Sequence, residues 1–517
     1  MDELEEQKKA APTIMDDDSF AAEYRATLSA MNQHHDPIAS KLPPEVAAKI
    51  FEACGPHSMN AVEDCRLLTG AICKAWRTIS WATPSIWSRL TVRITAPAPS
   101  LPLLVEQWLD RSGSLPLDIC FCESSFYTAF YVAPLDKHIG QLFEILNRVS
   151  HRLISLQLSM ESKLYNLFTG NDKGLPLLQS LVLWTYDDDQ SEGRIDTFGD
   201  APTPTYVEIN HARLSCINIS WNRVTTVRLE TQELHEVVSL LSLARHMQRL
   251  EAKILRNFNP VALPSFRPRI SHDHLEELVL ETCLEKDRIE AFFDCFDLKV
   301  LRRLDIDFYE AHNVWKGTRL TIPFPSFQTL IARSGCALKE LRMVYSDYHT
   351  TELVDFLSSH QLASIESLDI RTLIWQGQDS ALPDELFKRL AETCHDDSDT
   401  PFLPNLRRLI FGHMDCYNVE QYPNRKFPWE HALGMLGSPS CPSKRPLSHV
   451  EMTFSHRLEG LLHDNIFVDM ECVDALLDLQ QQQPGLLSKF YIYEHGKDLL
   501  EAYRKVSDGG EVKLIDY

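Results

Sequence analysis

LEELVLETCLEKDRIEAFFDCFDLKVLRRLDI, residues 275–306, decides the fold. It opens on apolar Leu275, Leu278 and Leu280, spaced three then two apart, and closes on the same spacing at Leu301, Leu304 and Ile306. The last two positions of each motif keep the two-residue period of a strand, and DRIEAFFDCF between the motifs is a helical run. Strand, helix and strand within one short segment make a repeat unit.

The motif returns along the chain: LISLQL from Leu153, LQSLVL from Leu178, LSCINI from Leu214, VTTVRL from Val224 and MQRLEA from Met247. After the opening stretch it continues as LKELRM from Leu338, IESLDI from Ile365, LRRLIF from Leu406 and LSHVEM from Leu447. Three chosen positions are all apolar about one time in twelve in a chain of this composition, so spacing and context carry more weight than the count. Five of the ten intervals fall within the 20–29 residues of a leucine-rich repeat. LHEVVSLLSLARHM and TELVDFLSSH, like DRIEAFFDCF, stand directly before copies. The interval from Leu214 to Val224 is too short for a helix, so it holds a turn between strands or one of the two copies is false.

Upstream, Leu90, Val92 and Ile94 alternate as a strand, 102–113 reads as a helix, and Leu117, Ile119 and Phe121 alternate again. The insertions at 185–210, 394–405 and 436–446 are rich in proline, serine and acid and read as solvated loops. FYIYE and GGEVKLIDY near the end offer further strands. The expected class is α/β: a short all-helical module at 38–90, then a leucine-rich-repeat-like solenoid over 91–517, a curved parallel sheet with helices on its convex side.

The helical module opens IASKLPPEVAAKIFEAC and closes AICKAWRTISWATPSIWSRL. Pro43 and Pro44 start a helix whose first turn holds Glu45, which suits the helix dipole. Gly55-Pro56 stops it, a second run carries Leu67, Leu68, Ala71 and Ile72, and a third carries Trp76 and Ile79 before Thr83-Pro84. So few residues bury little surface, yet they include Ile50, Phe51, Trp76, Trp81 and Trp87, so part of that apolar surface is expected to face a partner or the next domain. Residues 1–37 read as a disordered tail with a short helical lead-in through Tyr24, Leu28 and Met31.

The formal charge is −22 over 517 residues. Nucleic acid and anionic membranes both favour basic surfaces, so neither is an expected partner. No apolar run reaches the roughly 20 residues a membrane helix needs. MDELEEQKKA has no signal-peptide pattern, so the 13 cysteines are expected to be reduced thiols in the cytoplasm or nucleus. Cys120 and Cys122 in DICFCE lack the further ligands of a zinc site and read as strand cysteines. No serine elbow, phosphate-binding glycine loop or HExxH helix is present. No catalytic residue, metal or cofactor is therefore expected.

LPPEV at 42–46, IF at 50–51, ICKAW at 72–76 and TPSIW at 83–87 together resemble an F-box. The module resembles in particular the F-box proteins of mushroom-forming fungi, whose F-box precedes irregular leucine-rich repeats; residues 211–254 are similar to that repeat region. The link GPHSMNAVEDC is longer and more polar than the family's pattern. The resemblance implies a noncatalytic substrate receptor that docks the Skp-type adaptor of a cullin-RING ubiquitin ligase and holds an unidentified protein on its repeats. It implies an adaptor interface at Leu42, Pro43, Glu45, Val46, Ile50 and Phe51, with Cys73, Trp76 and Trp87 mostly core. The alternative is a noncatalytic repeat scaffold whose F-box is vestigial or serves only as an N-terminal cap. The outward strand positions Arg228, Glu277, Arg303, Asp305, Glu340, Arg342, Asp369 and Arg408 form the candidate substrate face.

Overall fold

The computed structural model describes residues 22–28, 30–31, 36, 38, 41–54, 65–94, 99–123, 136–185, 201–214, 217–231, 233–254, 269–282, 284–308, 322–346, 350–374, 384–394, 402–415, 429–438, 441–442, 445–454, 470–482, 487–492 and 497–498. The expectations for residues 1–20, the 55–64 link and GGEVKLIDY lie outside them. The chain is α/β and divides into two compact units: 1–204 with 215–220, and 205–214 with 221–517. The division falls inside the region expected as one solenoid. Among the described residues no helix is long and apolar enough to cross a membrane.

The first unit begins with three short helices, α1 (Pro44–Ala53), α2 (Cys65–Ile72) and α3 (Lys74–Trp81). Pro44 occupies the first turn of α1 beside Glu45, as the sequence predicts. Cys73 caps α3 by accepting the Trp76 amide at 3.4 Å. Phe51 and Trp76 pack with ring centroids 4.7 Å apart, and Thr69 meets Ser80 in the interior at 3.4 Å. The Trp76 indole N–H donates to the Asp36 carboxylate, whose other oxygen accepts the Ile38 amide at 2.9 Å. Asp36, just ahead of the helical module, is thereby tied to it.

A 3₁₀ turn at Pro84–Trp87 hands the chain to β1 (Arg89–Ile94). Trp87 is buried, donates its indole N–H to the Ser80 carbonyl at 2.8 Å and packs edge-on against Trp108 at 4.7 Å. Trp108 lies on α4 (Leu101–Arg111) and donates to the Arg89 carbonyl at 3.2 Å. β2 (Leu117–Glu123), α5 (Asp136–Val149), β3 (Leu153–Ser159) and β4 (Ser180–Trp184) follow, and β1 to β4 pair in sequence order, all parallel.

In the second unit the strands are β5 (Tyr206–Asn210), β6 (Thr226–Thr231), β7 (Arg249–Ile254), β8 (Glu277–Thr282), β9 (Arg303–Asp307), β10 (Glu340–Ser346), β11 (Ser367–Ile374), β12 (Arg408–Asp415), β13 (His449–Phe454), β14 (Leu487–Ile492) and β15 (Lys497–Asp498). They pair in that order, all parallel except the last pair. The second motif residue of each copy forms one aligned row, Val227, Leu250, Leu278, Leu304, Leu341, Leu368, Leu409 and Val450, and every member is buried. Backbone bonds pin that register just before each strand. The amides of Glu276 and Glu277 both donate to the Gln248 carbonyl, at 2.8 and 3.0 Å, and the same fork recurs at Arg302–Arg303, Lys339–Glu340, Glu366–Ser367 and Arg407–Arg408. Main chain alone makes this contact, which is why the residue after the first apolar position varies freely.

Helices cover the buried face: α6 (Leu234–Leu243), α7 (Lys286–Phe293), α8 (Phe324–Ser334), α9 (Thr350–Leu357), α10 (Asp384–Glu392), α11 (Trp429–Gly434) and α12 (Met470–Gln482). From α7 onward each packs on the next. α7 turns Ile289, Phe292 and Phe293 inward, where Phe293 meets Phe327 of α8 at 4.7 Å. α8 ends at Gly335, whose φ of 61° is the left-handed helix stop that glycine adopts without strain.

Three expectations change. LSCINI is a false copy: β5 pairs directly with β6, Val207 opposite Val227, and the Leu214 segment supplies no strand of that ladder. The strand lies at Tyr206–Asn210, inside a stretch expected to be loop, with buried Pro204 in the slot where other copies carry leucine or another large apolar residue. The segments near 402 and 445 are not wholly solvated either. Phe402, Leu403 and Leu436 are buried, and Arg445 turns inward to the carbonyls of Leu390 (2.6 Å) and Phe402 (2.9 Å) and to the Thr393 hydroxyl.

Candidate docking surfaces

The helical module leaves large apolar side chains outside. Val46 on α1, Leu68 and Ile72 on α2 and Trp81 on α3 are each 44–51% exposed. Burying one such side chain against a partner is worth about 1.5–3 kcal/mol before the costs of association. Trp81 is held by cations, with the Arg111 guanidinium 4.7 Å and that of Arg77 5.9 Å from its ring centroid.

Of the residues expected at an adaptor interface, Pro43, Glu45 and Val46 are exposed, and Leu42 and Ile50 are half-buried. Phe51 is a correction: it is 0% exposed, packed inward on Trp76, and supports α1 without reaching a partner. Leu68, Ile72 and Trp81 were not singled out for docking, although the sequence placed apolar residues there. Helices of eight residues hold too few turns for the sequence to show which of their apolar residues face outward.

The second unit's unburied sheet face carries three parallel rows of charge. One runs Arg249, Glu277, Arg303, Glu340 across β7 to β10. The next runs Glu208, Arg228, Glu251, Val279, Asp305, Arg342, Asp369. The third holds Glu230, Lys253, Glu281 and Asp307. Signs alternate between charged neighbours through the first two rows, and the ion pairs follow: Arg228–Glu251 at 2.6 Å, Arg249–Glu277 at 3.0 Å and Arg303–Glu340 at 3.7 Å. Lys253 bridges Glu230 and Glu281 at 3.6 and 3.5 Å.

Asp305 and Asp369 were expected to face a substrate, and both are buried. Arg342 covers them, at 3.1 Å from Asp305 and 3.3 Å from Asp369, while Arg371 takes Asp369 at 3.0 Å. Burial opposes the charge on Arg342, but these carboxylates outweigh it and raise its pKa. Arg371 lies over Gly412, where an added Cβ would sit 3.0 Å from the arginine Cγ. Arg228, Glu340 and Arg408 are exposed, and Glu277, Arg303 and Arg342 are partly so. The face thus offers side chains that are already engaged with one another.

Asp307 differs. Its Oδ1 is buried without a hydrogen-bond partner. Burial, joined by Glu281 and Asp305 against Arg342, pushes its carboxyl up to about 6. Because this exceeds the unfolded value of about 3.9, the folded chain binds the proton more tightly. Stability from this group is full below pH 4 and falls as pH rises through 6. Asp307→Asn is therefore expected to melt higher than the wild type at pH 7, with the gain gone at pH 4. Paired thermal melts at the two pH values measure it.

Among the described residues no three His, Cys, Asp or Glu side chains converge to hold a metal ion. A scan of protein-family models and a search of curated proteins return no match to this chain.

Proposed function

We propose that the chain is the substrate-recognition subunit of a cullin-RING ubiquitin ligase, with residues 38–90 acting as an F-box that docks a Skp-type adaptor and the leucine-rich-repeat-like α/β region holding the target protein. The observation that carries this reading is the exposed apolar set Val46, Leu68, Ile72 and Trp81 on a three-helix module built from LPPEV, IF, CKAW and TPSIW. Such a module needs little of its own chemistry. Ubiquitin transfer belongs to other subunits, and this chain supplies proximity and orientation.

The target is expected on the charged sheet face. Most of its groups are paired, so a partner gains affinity there only by offering a better set of opposite charges, and complementarity governs which partner binds more than how tightly.

A second reading is favoured by the Trp87–Trp108 seam: the module caps a repeat scaffold, since arrays need a closed first unit. Co-purification with the Skp-type adaptor separates the two. The wild-type chain is expected to retain the adaptor, and the Val46→Asp/Ile72→Asp double variant to lose at least tenfold in affinity, while Leu243→Asp on exposed α6 surface has no effect. Absence of binding, or binding untouched by the double variant with circular dichroism unchanged, would leave the scaffold reading.

A further inference from the structure

Arg111 closes α4 and lies over two indole rings at once. Its guanidinium carbon is 4.7 Å from the centroid of Trp81 and 5.0 Å from that of Trp87, both within cation–π range. Trp87 is buried in the seam, whereas Trp81 stays 50% exposed. Arg77 also reaches the Trp81 ring, at 5.9 Å, but its Nε is committed to the Gly70 carbonyl at 2.7 Å. Arg111 has no such commitment: among the described residues no carboxylate pairs with it and no acceptor takes its N–H groups. Rings that hold the flat face of a guanidinium leave its in-plane N–H groups unused, and these form the rigid fork that matches a carboxylate. Little side-chain freedom then remains to be lost when an acceptor arrives.

This cation borders the exposed apolar set. Thr69 of α2 meets Ser80 of α3, and a Cβ added at Gly70 of α2 would stand 3.6 Å from the Trp81 indole nitrogen. Trp81 thus continues the surface that Leu68 and Ile72 begin, and ends it on Arg111. The chain holds 73 acidic residues against 51 lysines and arginines, so an arginine without a carboxylate stands out. Tryptophan and arginine side by side are also the residues most enriched where binding energy concentrates.

We propose that Arg111 is a carboxylate-docking point of this surface. The partner that covers Val46, Leu68, Ile72 and Trp81 lays an Asp or Glu side chain on the Arg111 guanidinium, and, resting on the adaptor reading above, that partner is the Skp-type adaptor. Its footprint then crosses from the helical module onto α4, beyond the LPPEV and IF segments where the sequence placed the interface. A charge-assisted contact at the end of an apolar strip fixes the partner's register along it, and so governs specificity more than raw affinity.

The affinity of the full chain for the adaptor, measured by titration calorimetry against a scan of Asp→Asn and Glu→Gln substitutions on the adaptor surface, tests this. Arg111→Gln is expected to lose about tenfold, and Arg111→Lys, which keeps the charge without the planar fork, to recover only part of it. Arg302→Gln removes the same charge from the second unit, where Arg302 pairs with Glu276, and is expected to leave the affinity unchanged. The gap between wild type and Arg111→Gln is expected to narrow as salt rises. One acidic substitution in the adaptor is expected to weaken the wild type by the same factor and to cost Arg111→Gln nothing further. A purely structural role in the seam would move neither of these last two readouts, and the adaptor-side substitution leaves the fold of this chain untouched. The proposal alone is overturned if the wild type binds and Arg111→Gln binds equally, or if no adaptor carboxylate couples to Arg111. It is overturned too if Arg111→Gln instead changes the sedimentation of the chain by itself, which assigns the carboxylate to a second copy. Absence of wild-type binding overturns it together with the adaptor reading.

Discussion

Trp87→Ala is expected to lower the stability of the first unit by about 4 kcal/mol, in the range for removing a fully buried large aromatic. Trp87 fills the seam between the helical module and α4, and its edge contact with Trp108 goes with it. The Ser80 carbonyl, which accepts its indole N–H at 2.8 Å, is left without that donor. Trp87→Phe keeps a ring in the seam and loses the donor, so about 2 kcal/mol is expected. Hydrogen exchange read on peptides from α3, β1 and α4 checks this by region, where a single melting curve for a two-unit chain would blur it. Unchanged protection on both sides of the seam would show that the module does not depend on it.

The second large effect is expected at Arg445. This guanidinium is buried, donates to the carbonyls of Leu390 and Phe402 and to the Thr393 hydroxyl, and so ties α10 to the segment before β12. Burial lowers its pKa, the mark of a cation kept from water. Arg445→Ala leaves three buried acceptors and a cavity, and about 3–4 kcal/mol of local stability is expected to go. Lysine has one nitrogen where arginine has three, so Arg445→Lys is expected to recover less than half. Exchange rates across 386–394 and 402–409 are the measurement, with β6 as the unaffected reference.

What was legible in the sequence follows from what each contact is made of. The parallel strands could be read because LEELVL, LRRLDI and IESLDI turn apolar residues to one side, and periodicity records that directly. β5 was missed because proline took the first slot, a residue that otherwise argues against strands, while LSCINI imitated the apolar spacing from outside the ladder that β5 and β6 form. Arg445 was read as solvated because a charge among proline and serine usually is; the acceptors it meets lie 43 to 55 residues away. The exposed apolar surface of the helical module was visible only as an excess of apolar residues. Which of Val46, Ile50 and Phe51 turns outward is set by Trp76 packing on Phe51, and nothing within α1 encodes it. On the sheet, the charged positions could be assigned to the outer face, but not that Arg342 buries Asp305 and Asp369 there, nor which residues pair, since Arg249 and Glu277 meet only once the strand register is fixed.

The alternating rows also restrict how such a chain can shorten or grow. Loss of the single unit carrying β8 would set Arg249 beside Arg303 and Glu251 beside Asp305, like charges directly opposite, which destabilises a ladder. Loss of β8 and β9 together would set Arg249 beside Glu340 and Glu251 beside Arg342, and both rows would close with their signs intact. Over this part of the sheet the repeat has a parity: units are tolerated in pairs and resisted singly, so the inheritable module is two strands wide although the sequence motif is one.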